Sequence, residues 1–167
     1  MFANSLTYIS GRFRTDFKTD FDRWTSTVEI SPLISQTGVL SVSVTKCVAL
    51  IEDDELLRRA FVNLLEILGH RVIAGTSSAN VLADIEVAVL EPHLVIADYR
   101  LQGGESGIEA IATVSEGVGK KVPGIVITGD TREGLQRKIE ESGFEIIHKP
   151  ARLSEIKFLL GRLIPKH

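Results

Sequence analysis

Four stretches of this 167-residue chain set chemically active side chains at the end of a short apolar run. Glu52, Asp53 and Asp54 follow Cys47–Ile51, and Asp98 follows Leu94–Ala97. Thr128 closes the run Gly124–Thr128, with Gly129 next, and Lys149 and Pro150 follow Glu145–His148. Carboxylates gathered in one place repel each other and need a cation for stability. A hard divalent ion with oxygen ligands meets that need. Mg2+ (or Mn2+) suits one or two carboxylates together with waters and a phosphate. Lys149 offers compact positive charge for phosphate oxygens, Thr128 a hydrogen-bond donor, and Gly129 room for an incoming group. These are the parts for phosphoryl transfer to a carboxylate, where positioning and charge neutralisation dominate catalysis.

The elements that must position these groups are legible from residue 45 onward. Short β-branched runs alternate there with helical patterns, as in βαβ units around a parallel sheet. Strands are expected at Cys47–Ile51, Arg71–Ala74, Leu94–Ala97, Gly124–Thr128 and Glu145–His148. Helices are expected at Glu55–Leu68, Ala79–Leu90, Ile108–Ser115, Arg132–Ser142 and Leu153–Leu163. The first helix has Leu57, Phe61, Leu64, Leu65 and Leu68 on one face, with Gly69 as its stop. Ser77 and Ser78 are N-cap candidates for the second. Gly143 stops the fourth helix, and Pro165 closes the fifth. The first, third and fourth strands are nearly pure apolar runs, which fits central strands covered on both faces. The fold class is therefore α/β: a doubly wound, flavodoxin-like, five-stranded parallel sheet of order 2-1-3-4-5. In such sheets ligands sit beyond the C-terminal strand ends, where the strand order reverses. That point lies between the first and third strands, so the acidic triple and Asp98 converge on it.

In that order and spacing, the motifs Ala49-Leu50-Ile51-Glu52-Asp53-Asp54, Leu94-Val95-Ile96-Ala97-Asp98-Tyr99-Arg100, Thr128 and Lys149-Pro150 make residues 46–164, about 70% of the chain, resemble the receiver domain of two-component response regulators. The resemblance implies that Asp98 is the phospho-acceptor and that Glu52 and Asp53 organise Mg2+, with the backbone carbonyl of Arg100 as a further metal ligand. It implies that Thr128 is the switch hydroxyl, that Lys149 contacts the phosphoryl group, and that the Lys149–Pro150 bond is cis. The stretches Ile127-Thr128-Gly129-Asp130-Thr131 and His148-Lys149-Pro150-Ala151 look like receivers at the C-termini of hybrid sensor histidine kinases, or their detached relatives. The implied partner is a sensor histidine kinase or a histidine phosphotransfer protein. One position departs from the common pattern. Ile146 stands three residues before Lys149, where many receivers carry Tyr or Phe.

Plainer readings compete at each site. Asp53, Asp54 and Glu55 also suit a helix N-terminus. Asp98 alone could begin a loop, and Lys149 alone could be a solvated surface lysine. It is the combination that favours the metal and phosphoryl reading. Cys47 falls on a buried strand and reads as inert packing. His148 neighbours Lys149 on a strand and so should face the other way. Gly103, Gly104 and Gly107 are not followed by Lys-Ser or Lys-Thr, so they read as a flexible loop rather than a phosphate cradle.

Charge and composition exclude several functions. A net charge of −3 and a pI near 5.8 give no basic footprint for nucleic acid. No apolar run approaches the roughly 20 residues that span a bilayer, and no secretory signal is evident. One cysteine allows no internal disulfide, and a cytoplasmic setting is expected. Residues 1–45 read as an N-terminal extension and 165–167 as a tail. The extension holds six of the ten aromatics, among them Phe13, Phe17, Phe21 and Trp24 at helical spacing. It reads as a disordered arm, as a docking segment that could support a homodimer, as sequence upstream of a true start at Val44, or as the remnant of a preceding domain with Val39–Val44 as its last strand. No output domain is expected after Ile164. The chain is expected to be a phosphorylation-controlled signalling domain rather than an enzyme. An aspartyl-phosphate phosphatase would need a second Asp where Arg100 stands, and the acidic loop would repel a flavin phosphate. The alternative is a receiver-like interaction module that is not phosphorylated.

Overall fold

The computed structural model describes residues 45–164. The aromatic spacing from Phe13 to Trp24, the strand suggested at Val39–Val44 and the tail after Ile164 lie outside the described residues. Five strands alternate with five helices: β1 (Cys47–Ile51), α1 (Glu55–Ile67), β2 (Arg71–Gly75), α2 (Ser78–Ala88), β3 (Leu94–Asp98), α3 (Gly107–Gly117), β4 (Gly124–Thr128), α4 (Glu133–Glu141), β5 (Glu145–His148) and α5 (Leu153–Leu163). All strand pairs are parallel, in the order β2-β1-β3-β4-β5. The order expected from sequence is thus the order found, and every strand end expected to carry chemistry lies on one edge.

Strand alternation divides the core into two layers. Cys47, Ala49 and Ile51 of β1 pack with Val95, Ala97 and Val126 against α2, α3 and α4, through Val81, Ile85, Ala110, Ile111, Val114, Leu135 and Ile139. Val48 and Leu50 pack with Leu94, Ile96, Ile125 and Ile127 against α1 and α5, through Leu65, Ile156, Leu159 and Leu160. The three central strands are buried along their length apart from the end of β3, where Asp98 is half-buried. That is why they read as unbroken apolar runs.

The element bounds depart from expectation in a few places. The helix α1 exposes Leu57 (40%) and buries only Leu65 fully, so the apolar stripe drawn from sequence overstated its contact with the sheet. Ser77 is the N-cap of α2, and Ser78 begins the helix. This helix stops at Ala88, two residues before the expected Leu90, because Val89 takes the left-handed conformation (φ 50°). The helix α3 begins at Gly107 and outlasts the expected Ser115, through Gly117. A capping box between Ser106 and Glu109 fixes its start. Gly69, at φ 86°, makes the turn out of α1, a conformation that suits glycine.

Candidate functional site

The turn after β1 is built around its own backbone. Asp54 caps α1, its Oδ1 accepting from the Leu57 N–H at 2.9 Å. The helix-cap reading of this residue is therefore correct, and Asp54 is not in the acidic cluster. Arg58, one turn into α1, donates to the carbonyls of Glu52 (2.9 Å) and Asp53 (3.3 Å) and so ties down the turn that carries both acids. The Glu52 side chain is turned inward and is only 3% exposed. Its Oε1 accepts from the Asp54 N–H at 3.2 Å. The backbone N–H of Glu52 donates to the Gly75 carbonyl at the end of β2, at 3.1 Å.

Asp98 ends β3 and faces the same space. Glu52, Asp53 and Asp98 each offer a carboxylate oxygen, and these atoms lie within 4.8 Å of one another. Lys149, at the end of β5, reaches in from the far side. Its Nζ stands 3.1 Å from Asp98 Oδ1 and 3.7 Å from Glu52 Oε2. Glu52 and Asp98 thus share one ammonium, and Asp53 adds a third carboxylate to the cluster. Burial pushes the Glu52 carboxyl up from its ordinary value, and the Asp98 charge pushes it further, while the Asp54 N–H and Lys149 pull the other way. A cluster with this excess of negative charge fits a hard divalent cation: its donors are all oxygens, and a second cation would relieve the strain that Lys149 leaves.

A cavity of about 250 Å3 opens beside the acceptor, lined by Asp98, Arg100, Thr128, Gly129, Asp130 and Lys149. Thr128 is almost fully buried, and its Oγ1 accepts from the Asp130 N–H at 3.0 Å, which leaves the hydroxyl hydrogen free to donate. A Cβ added to Gly129 would meet nothing within 4 Å, so the space expected there exists. The Lys149–Pro150 bond is cis. The Arg100 side chain turns to Asp130 (3.2 Å), and Arg132 grips the same carboxylate at 2.6 Å. These arginines, Arg132 foremost, hold the Asp130 carboxyl well below the usual range.

The loop after β3 is pinned close to the site. The Gly107 N–H donates to the Tyr99 carbonyl at 3.0 Å, and Arg100 and Ser106 form an antiparallel bridge. A Cβ at Gly107 would stand 2.5 Å from the Asp98 carbonyl oxygen, so only glycine allows α3 to start this close to the acceptor strand. Reading Gly107 as part of a flexible loop is therefore corrected. Leu101, 7% exposed, anchors the loop in the core.

All six residues singled out from sequence lie around the C-terminal strand ends: Glu52, Asp53, Asp98, Thr128 and Lys149 by their side chains, and Arg100 by the loop that carries it. Sequence reasoning missed Arg58, Asp130 and Arg132. Their contacts depend on loop conformation, and the only advance hint was their closeness in sequence to the named acids and Thr128. Cys47 is buried, with its thiol pushed up by that burial, in keeping with packing alone. Ile146 packs partly buried against the core on the α2–α3–α4 side, so no aromatic ring stands at that position. His148 and Lys149 both contribute to a larger open groove of about 500 Å3 with Pro150, Arg152 and Phe158.

Comparison with known proteins agrees with this geometry. The family model described as the response regulator receiver domain matches residues 48–160. The phyllosphere-induced regulator PhyR of Methylorubrum extorquens is 26% identical over 137 residues, which cover 81% of this chain and 50% of PhyR. The chain thus spans about half the length of that curated relative. Among solved structures, the chemotaxis protein CheY4 of Vibrio cholerae matches with a TM-score of 0.63 at 18% identity, covering 72% of this chain and 99% of that one. The signal receiver domain of an HD domain-containing protein from Pseudomonas fluorescens matches with a TM-score of 0.62 at 22% identity, covering 76% and 92%. These structural likenesses speak for the fold.

Proposed function

The chain belongs to the response regulator receiver family, and from that premise we propose that Asp98 accepts a phosphoryl group from a phosphohistidine on a sensor histidine kinase or a histidine phosphotransfer protein. The observation that carries this reading is the pairing of Asp98 with Lys149 at 3.1 Å beside an open cavity, with Glu52 and Asp53 close behind. An Asp98 carboxylate oxygen attacks phosphorus, the P–N bond breaks, and the imidazole leaves and takes a proton. The product is an acyl phosphate on Asp98. Lys149, paired with the Asp98 carboxylate, balances the added charge. Thr128, with its hydroxyl hydrogen uncommitted, can donate to a phosphoryl oxygen in the cavity it lines.

Glu52, Asp53, Asp98 and the Arg100 carbonyl would hold Mg2+ (or Mn2+). Such an ion, when bound, neutralises charge between the carboxylates and the phosphoryl oxygens. We assign the receiver to residues 46–164, with 1–45 as an extension and 165–167 as a tail, and place the domain in the cytoplasm as a signalling switch. The motifs around Thr128 and Lys149 favour a receiver of the hybrid-kinase type. Nucleic acid and membrane play no part in this reading.

Acetyl phosphate is a simple phosphodonor for the test. Incubation with Mg2+ should add the mass of one phosphoryl group to the intact chain, and chelation of the metal should abolish the gain. A chain that gains nothing while binding Mg2+ normally would favour the non-phosphorylated interaction module instead.

A further inference from the structure

The buried hydroxyl of Ser78 lies outside the cavity, yet it is committed to a residue of the acceptor loop. Ser78 is 5% exposed and is the first residue of α2. Its Oγ donates to Glu105 Oε1 at 2.5 Å, and its backbone N–H donates to Glu105 Oε2 at 3.2 Å. Both oxygens of one carboxylate are therefore spent on one residue, 27 positions earlier in the chain. A free helix N–H group and the positive end of the helix favour an anion at that place.

The grip joins two segments that border the acidic site from opposite sides. The turn into α2 follows Gly75, whose carbonyl holds the backbone N–H of Glu52. Glu105 belongs to the loop that starts at Asp98, carries Arg100 and returns through the Arg100–Ser106 bridge to Gly107. At its base the loop is fixed by Gly107 and by Leu101. Between them, Gly103 and Gly104 both take positive φ (88° each) and offer no side chain to hold the tip. Glu105 is the side chain that ties this part of the loop to a neighbouring element.

We infer that Glu105 is a positioning residue for the divalent-cation site: through Ser78 it fixes the distance between the Arg100 segment and the Glu52–Asp53 turn. The inference rests on the metal-binding reading above and names a residue outside the ligand set. Loss of the tether leaves Glu52, Asp53 and Asp98 in place and leaves the Arg100 segment held only at its base, by Gly107 and Leu101, which loosens its spacing from the Glu52–Asp53 turn and lowers cation affinity.

The test titrates the full chain with Mg2+ alone, by calorimetry or amide chemical shifts. Ser78→Ala removes the hydroxyl and keeps every charge. Glu105→Ala removes the whole grip, and Glu105→Gln keeps an accepting oxygen while dropping the charge. Ser78→Ala and Glu105→Ala should each weaken Mg2+ binding about three- to tenfold, at or below the usual range for residues outside the ligand set. The double variant should be no weaker than Glu105→Ala, because both changes break one contact. Glu105→Gln should stay within about twofold of wild type. Unchanged affinity in both alanine variants, even with lower melting temperatures, would overturn the inference by reducing the contact to a helix cap. A loss in Glu105→Gln equal to that in Glu105→Ala, with Ser78→Ala unaffected, would overturn it in favour of long-range charge. A wild-type chain that binds no Mg2+ would instead sink the metal-site reading, and this inference with it.

Discussion

Lys149 Nζ stands 3.1 Å from Asp98 Oδ1, with the lysine side chain one-third exposed and the half-buried aspartate 12% exposed. The same ammonium pairs with the Glu52 carboxylate at 3.7 Å. Replacing Lys149 by Ala leaves three carboxylates within 4.8 Å and no cation among them. Phosphorylation by acetyl phosphate should slow roughly 100- to 1000-fold, the scale for loss of one charge-stabilising donor. The metal-free protein should also melt lower at neutral pH and recover when Mg2+ is added. A melting temperature that is equal with and without Mg2+ would show that Lys149 does not share the work of neutralising the cluster.

Glu52 makes the pH dependence specific. Its folded-state carboxyl is raised above the ordinary 4.5, by burial first and by Asp98 second. A group raised in this way supports the fold below its unfolded value and withdraws that support as pH rises through the folded value. The metal-free protein should therefore lose part of its stability as pH climbs from about 4.5 toward neutrality. Glu52→Gln should flatten that slope and raise the metal-free melting temperature at pH 7. It should also cut Mg2+ affinity by on the order of tenfold or more, since even residues behind the ligands cost about that much. Melts across pH with chelator present check the first part, and a Mg2+ titration checks the second.

Val89 carries a separate stability prediction. It ends α2 at φ 50° and is 89% exposed, so a β-branched side chain sits in a conformation it disfavours and packs against little. Val89→Gly should stabilise the domain by about 1 kcal/mol, the scale of the left-handed penalty for a side chain bearing Cβ. Urea unfolding measures it, and phosphorylation should be unchanged because Val89 lies at the opposite end of the sheet from Asp98.

The central strands were readable because burial on both faces leaves no polar position to confuse the pattern: Val48–Ile51, Leu94–Ala97 and Ile125–Ile127 are apolar throughout. Once they are placed, parallel pairing forces Glu52, Asp98, Thr128 and Lys149 to one edge. Local conformation was less legible. Val89 stopped α2 early although its residue type argues for no stop, and Leu57 fell just off the buried stripe of α1. Contacts set by loop shape were not legible at all. The grip of Glu105 on Ser78 spans 27 residues, and nothing in either residue's neighbourhood announces it. Gly107 looked like one glycine of a loose loop, whereas its reason is the carbonyl of Asp98.

The central claim is that Asp98 is the acceptor, and intact-mass analysis of an Asp98 variant beside the wild type tests it most directly. Wild type and Asp98→Asn are incubated with acetyl phosphate and Mg2+, and intact mass is followed over time. Asparagine keeps the size of the side chain and removes the nucleophilic carboxylate. It should leave the fold intact, since the change also removes one negative charge from the acidic cluster. The account predicts one phosphoryl mass on the wild-type chain and none on Asp98→Asn at matched times. A folded Asp98→Asn protein that gains the same mass at the same rate would contradict it.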